Sequence, residues 1–264
     1  MELQVSGHST YIYTGGKTPD PALPAVVFIH GAQQDHSCWG LQSRWFAHHG
    51  HAVLAPDLPG HGRSAGHALA SVDAIADWII ALLDAKGVRK AMLVGHSMGA
   101  LAALDAAGRH ADRVSRLVLI GASVPMAVSD ALLEAAANDE PAAMAMVNGW
   151  SHSQRGLLGA SAVPGMWIYG INRRLMERQQ PGTMVNDLRA CHSYLAGATA
   201  AAGVKCPVLL VAGSRDQMTP TRNTKTLASL LPQAKVVTLH PAGHAMMSEQ
   251  PDALLDALVS FSYG

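Results

Sequence analysis

Three side chains in this sequence could together activate a hydroxyl for attack on a carbonyl. The first is Ser97. It lies in Gly95-His96-Ser97-Met98-Gly99, after the apolar run Ala91–Val94 and before Ala100-Leu101-Ala102-Ala103-Leu104, which reads as helix. That is a strand, a sharp turn and a helix. Such a turn exposes the serine hydroxyl at the end of a central strand and at the N-terminus of a helix. Gly95 and Gly99 are small because strand and helix cross closely there. The same Gly-x-Ser-x-Gly spacing recurs at Gly62-Arg63-Ser64-Ala65-Gly66, but after the turn cluster Pro59-Gly60-His61 and before a loop. That context rejects Ser64 and keeps Ser97.

A serine hydroxyl needs a base, and the base needs an orienting carboxylate. In the chain order that goes with this turn, the carboxylate and then the histidine follow late strands. The apolar run ending at Gly121 is followed by Ala122-Ser123-Val124, without an acid, whereas the run ending at Gly213 is followed by Ser214-Arg215-Asp216. Asp216 is therefore the candidate acid. After the last strand come His240-Pro241-Ala242-Gly243-His244. His240 precedes proline, which pins its backbone. His244 follows a glycine on a loop that can turn its ring toward Ser97, and it is the candidate base. An oxyanion formed on the attacked carbonyl needs two fixed N–H donors. The amides of Met98 and of Ala32, the latter in the His30-Gly31-Ala32 turn, are the candidates.

Positioning these groups requires a particular frame. Ala25–Ile29, Ala52–Ala55, Ala91–Val94, Arg116–Gly121, Pro207–Gly213 and Val236–Leu239 are short apolar runs. Each reads as a strand buried on both faces. Residues 8–14 add an early strand. Between the runs lie amphipathic helical patterns near 39–48 and 71–86, and Leu254, Leu255, Leu258 and Phe261 mark a closing helix. A helix is also expected from Thr219-Pro220, with proline at its first turn. The alternation predicts an α/β fold with a mostly parallel, doubly wound sheet, whose ligands sit beyond the carboxyl ends of the strands. Residues 124–203 break the alternation with helical patterns at 129–138, 141–150, 165–179 and 184–196. They predict an inserted helical cap on a core formed by 1–123 and 204–264. The small-residue stretch Ala196–Ala202 could hinge that cap.

His30-Gly31 after a strand, Asp57-Leu58-Pro59-Gly60-His61-Gly62-Arg63-Ser64, Gly95-His96-Ser97-Met98-Gly99, Gly213-Ser214-Arg215-Asp216 and Gly243-His244 follow one another in an order that resembles the α/β-hydrolase fold superfamily. The chain is similar to its small bacterial esterase, lactonase and cofactor-free haloperoxidase branch. The resemblance covers 25–122 and 204–263 and implies a mostly parallel α/β-hydrolase sheet with an inserted helical cap. It supports His244 over His240, makes the Asp57 segment a structural turn, and implies no cofactor. Relatives that use an aspartate nucleophile, the haloalkane dehalogenases and epoxide hydrolases, differ at Ser97.

The remaining composition narrows the class. Lys+Arg and Asp+Glu are equal at 19 each, so no basic face for nucleic acid is expected. No run reaches the length of a membrane span, and Met1-Glu2-Leu3-Gln4-Val5 lacks the charged and apolar regions of a signal peptide. Cys38, Cys191 and Cys206 are odd in number and far apart, which fits free thiols in a reducing cytoplasm. The 14 histidines include His49, His51 and His61, none with further ligands at metal spacing, so no metal is expected. Methionine is frequent, at 12 residues, with Met126, Met144, Met146, Met166, Met176 and Met184 in 124–203. With Trp150, Trp167 and Tyr169 they suggest an adaptable apolar pocket. Trp39, Met144, Met166, Trp167 and Met218 are the candidate lining residues. The expected activity is hydrolysis of a small-molecule carboxylic ester or lactone. Two alternatives stand beside it: hydrolysis of a carbon–carbon bond in a diketone-type substrate, with Arg173 or Arg174 as the polar cap group, and a ligand-binding receptor without turnover. Oligomeric state is not encoded in any of these features.

Overall fold

A computed structural model describes residues 1–159 and 165–264. The chain opens with a hairpin of β1 (Glu2–Val5) and β2 (His8–Tyr13). Then follow β3 (Ala25–Ile29), a short 3-10 turn (His36–Trp39), α1 (Gly40–His48), β4 (Ala52–Pro56), α2 (Val72–Lys86), β5 (Ala91–His96), α3 (Met98–Arg109) and β6 (Val114–Ile120). A helical stretch comes next: α4 (Asp130–Asn138), α5 (Glu140–Ser151), α6 (Gln154–Leu157), α7 (Ile168–Glu177), α8 (Thr183–Ser193) and α9 (Gly197–Gly203). The chain closes with β7 (Val208–Gly213), α10 (Thr221–Leu230), β8 (Lys235–Leu239), α11 (Met246–Glu249) and α12 (Pro251–Tyr263).

Among the described residues the strands form one eight-stranded sheet in the order β1-β2-β4-β3-β5-β6-β7-β8. From β4 to β8 all neighbours are parallel, while β1 and β2 run antiparallel at one edge. The fold is thus the mostly parallel, doubly wound α/β sheet expected. The reason lies in strands such as β3. Its Val27 and Ile29 face one core with α2 and α3, whereas Val26 and Phe28 face another with Trp39, Phe46, Leu254 and Leu258. A strand covered on both faces must be apolar at every position. Helix α2 shows local control as well. Ser71 caps its start and Gly87, at φ 72°, ends it in the left-handed region that suits glycine.

Helices α4, α5, α7 and α8 pack on one another through Leu132, Ala136, Ala143, Met144, Met176, Met184 and Leu188, a small core of their own. Two expectations need correction. Residues 196–202 are not a free hinge: α9 lies on α3, where a Cβ on Gly108 would come within 2.3 Å of the Ala200 carbonyl oxygen, and Ala200 and Ala201 belong to the main core. The helix expected at Thr219-Pro220 begins at Thr221, with Pro220 as its N-cap. The Met218 and Thr219 amides instead donate to Asp216 Oδ1, at 2.8 Å each, so this segment is a turn before the helix.

Candidate active site

Ser97 sits between β5 and α3 with φ 53° and ψ −117°. This backbone is unfavourable for a residue with a Cβ, and strain of this kind needs a frame that holds it. Part of that frame is the Ser97 amide, which donates to Ile120 O at 2.9 Å. The rest is close packing. A Cβ on Gly95 would lie 2.2 Å from Gly99 O, and one on Gly99 would lie 2.5 Å from both Ile29 O and His30 O. The glycines therefore let strand, helix and the end of β3 meet. Met98 is the first residue of α3, so its amide is one of the donors a helix N-terminus leaves free.

His244 follows β8 and Asp216 follows β7, and the parallel pairing of these strands brings the two loops together. His244 Nδ1–H donates to Asp216 Oδ2 at 2.8 Å. The same oxygen accepts from Thr219 Oγ1 at 2.7 Å, and Oδ1 takes the two backbone amides. Burial opposes ionisation of Asp216. The facing imidazole and these donors outweigh it and hold the carboxyl at about 2. His244 Nε2 is buried and has no hydrogen-bond partner among the described residues. The ring packs on Gly121 (φ 58°), where a Cβ would come within 2.9 Å of it. Two further groups fix its loop. His96 Nε2–H donates to the His244 carbonyl at 3.0 Å, and burial beside the His244 ring pushes the His96 pKa down to about 3, so the His96 ring is neutral. Buried Glu249 accepts from the Gly243 amide at 3.2 Å and from the Ser153 amide at 2.9 Å, which joins the loop to the segment after α5. His240 is exposed and takes no part.

Ser97 and His244 open onto a cavity of about 210 Å³. Gly31, Ala32, Met218 and Thr219 line it from the sheet side, and Leu132, Val147, Trp150, Met176, Met184 and Leu188 line it from the helical side. The Gln33 and Gln34 amides are engaged with Asp187 Oδ2 (2.8 Å) and Gly31 O (3.3 Å). Ala32, just before them in the turn, lines the cavity with Ser97.

Of the expected lining residues, Met218 is at the cavity and four are elsewhere. Trp39 is fully buried against Phe28 and Phe46 under the opposite face of the sheet. Met144 is buried among the helices themselves. Met166 lines a second groove of about 430 Å³ that meets the first at Gln34 and Asn172. Trp167 is 60% exposed. Helical periodicity marks an apolar side chain as inward-facing but does not say which inside it faces. Arg173 and Arg174 both pair with Glu177 at 2.7 Å, outside the cavity, and so supply no polar cap group there. The Thr219, Gln34 and Asn172 side chains at the site carried no sequence signal of their own.

Ser64 is accounted for. Its hydroxyl donates to Asp57 O at 2.7 Å and accepts from the Tyr11 amide at 2.9 Å, a structural knot in the β4–α2 loop. Asp35, His36 and Asp57 come close enough to hold a cation. Their carboxylates already accept from the His36 ring and amide, the Arg63 amide, Ser37 and Arg178, which makes the cluster a hydrogen-bond hub for two loops.

The profile described as "Alpha/beta hydrolase family" matches residues 26–257, nearly the whole described frame. The chain belongs to the alpha/beta hydrolase family. Among curated relatives, this hydrolase is 31% identical to a pimeloyl-[acyl-carrier protein] methyl ester esterase of Chromobacterium violaceum, over 92% of this chain and 94% of that one. It is 29% identical to a non-heme chloroperoxidase of Streptomyces lividans over 99% of both. The fold of the hydrolase also matches an enol-lactonase from Burkholderia xenovorans, with a TM-score of 0.88, 20% identity and full coverage of both chains. Among its described residues no helix is long and apolar enough to cross a membrane.

Proposed function

We propose that this protein is a serine hydrolase of carboxylic esters or lactones, acting on small to medium, mostly apolar molecules. The observation that carries the proposal is the state of His244. One ring nitrogen is fixed on ionised Asp216, and the other is left unpartnered at the cavity that holds Ser97. In this reading Ser97 Oγ attacks the substrate carbonyl carbon while its proton passes to His244 Nε2. The carbonyl oxygen becomes an oxyanion, held by the amides of Ala32 and Met98. Collapse expels the alcohol, which takes the proton from His244 and leaves an acyl group on Ser97. Water then attacks that ester with His244 again as base, which releases the acid and frees Ser97. Asp216 keeps the imidazole in the tautomer with a proton on Nδ1. Helices α4–α8 act as the cap that closes the cavity and selects the acyl or alcohol part. The relative named an esterase, matched over 92% of this chain and 94% of its own length, supports this class. Among the described residues no Asp, Glu, Lys or Arg lines the cavity, which suits an uncharged substrate. Three unpaired cysteines suit work in a reducing cytoplasm.

A fluorophosphonate probe tests the assignment. It should label the unsubstituted protein and Ser64→Ala, and spare Ser97→Ala. Labelling that survives in Ser97→Ala and disappears in Ser64→Ala would assign the nucleophile to the other Gly-x-Ser-x-Gly.

A further inference from the structure

We propose that Gln33 and Gln34 form an acceptor pair that binds an uncharged N–H or O–H group of the substrate. The site would thus prefer carbonyl compounds that carry an N–H or O–H donor over counterparts of the same shape with CH2 in its place. The inference rests on the reading above only in taking the cavity beside Ser97 as the substrate site.

The backbone carbonyl of Tyr169 can only accept. Asn148 therefore turns its Nδ2 toward it, at 3.0 Å. That leaves Asn148 Oδ1 to accept from Asn172 Nδ2 at 2.7 Å, which in turn leaves Asn172 Oδ1 to face Gln34 Nε2 at 3.4 Å. The two ends of a side-chain amide are told apart by their partners, and here one carbonyl sets the direction of the whole relay. At its end stands Gln34 Oε1, buried and without a donor. The neighbouring residue repeats the pattern independently. Gln33 Nε2 donates to Glu140 Oε1 at 3.1 Å and to Met176 O at 3.3 Å, both acceptors, so its oxygen cannot be exchanged with its nitrogen. Gln33 Oε1 is also buried without a donor, in a residue only 1% exposed.

Buried acceptors are normally paired. Two unpaired ones lie on consecutive residues that line the cavity beside Ser97, and they mark a place where a donor belongs. They directly follow Ala32, the proposed oxyanion donor, and their residues share one cavity with Ser97 and His244. Among the described residues no Asp or Glu lines the cavity, which favours a neutral donor over an ammonium.

Calorimetry on Ser97→Ala tests this without turnover, using butyranilide and 1-phenylpentan-2-one, which differ by N–H against CH2. One net hydrogen bond predicts about tenfold tighter binding of the anilide. Adding Gln34→Met, close in size but without the acceptor, should remove most of that preference. Equal binding of the two compounds in Ser97→Ala, binding of neither, or a preference that survives Gln34→Met would overturn the inference. The first of these needs no Gln34 variant to fold. Fluorophosphonate labelling of Ser97 in the unsubstituted protein separates the two readings. Labelling with equal binding removes the acceptor pair and keeps the ester hydrolase, and anilide preference without labelling does the reverse.

Discussion

At Asp216 burial and pairing oppose each other, and pairing prevails, which keeps the group ionised down to about 2. The partners also decide what an amide would do in its place. Oδ1 accepts two backbone amides, which an Asn oxygen could still satisfy. The new NH2 must then face His244 Nδ1, where the acid now accepts. That forces the imidazole proton onto Nε2, the atom that takes the Ser97 proton in the proposed mechanism. Asp216→Asn should therefore stay folded while turnover of p-nitrophenyl butyrate falls by roughly 10⁴-fold, the scale of such tautomer errors in serine proteases. Near-normal kcat in Asp216→Asn, with the loss found in Asp57→Asn, would move the acid to the other loop.

Among the elements, α9 is where local reading and packing part. Its run of alanines and glycines suggests a flexible joint, yet small residues also let two helices approach to backbone contact. The second holds here. A Cβ on Gly203 would sit 2.4 Å from Gly108 O, and one on Gly108 would sit 2.3 Å from Ala200 O. Overpacking of this kind costs about 1–3 kcal/mol. For a chain of this size each kcal/mol moves Tm by roughly 2–4 °C. Gly203→Val should lower Tm by several degrees in a thermal melt, whereas Ala202→Val, on the exposed face of the same helix, should change it little. Equal and small effects would restore the joint.

Over the whole molecule, the helical insertion is tied to the sheet's loops through Asp187 on α8. This buried carboxylate accepts from the Gln33 amide after β3 and from His61 Nε2 after β4, both at 2.8 Å. His61 Nδ1 donates to Pro59 O at 3.0 Å, so both ring nitrogens donate and the ring is an imidazolium. Burial acts against that charge, but Asp187 outweighs it and raises the His61 pKa above its ordinary 6.5. A raised folded-state value means stability fully present below the unfolded value and lost as pH rises through the folded one. Asp187→Asn should therefore lower Tm most near neutral pH and below. The Tm gap to the unsubstituted protein should then narrow as pH rises past the raised value. A gap that stays constant from pH 6 to 9 would mean that the pair carries no charge.

Sequence alone determined every sheet strand except the edge strand β1, the tight strand–helix turn at Ser97, and the places of Asp216 and His244 after successive late strands. Each rests on a local rule: unbroken apolar runs for strands covered on both faces, glycines where strand and helix cross at Ser97, and acid and histidine after successive late strands. It also read helical patterns at 129–138 and 141–150, where α4 and α5 stand, while residues 160–164 of the expected cap lie outside the described residues. Which apolar residues face the cavity was decided only by the tertiary structure. Trp39, Met144, Met166 and Trp167 carry the same apolar signal as Met176, Met184 and Leu188, yet they fall into different cores and surfaces. The same holds for the polar side. Gln33, Gln34, Asn148 and Asn172 are spread over chain separations too long for any periodicity, and their hydrogen-bond directions exist only once α5, α7 and the turn after β3 are packed together. A local pattern can fix an element because its forces act within a few residues. A cavity's lining is set by which elements meet, and that is a property of the folded chain.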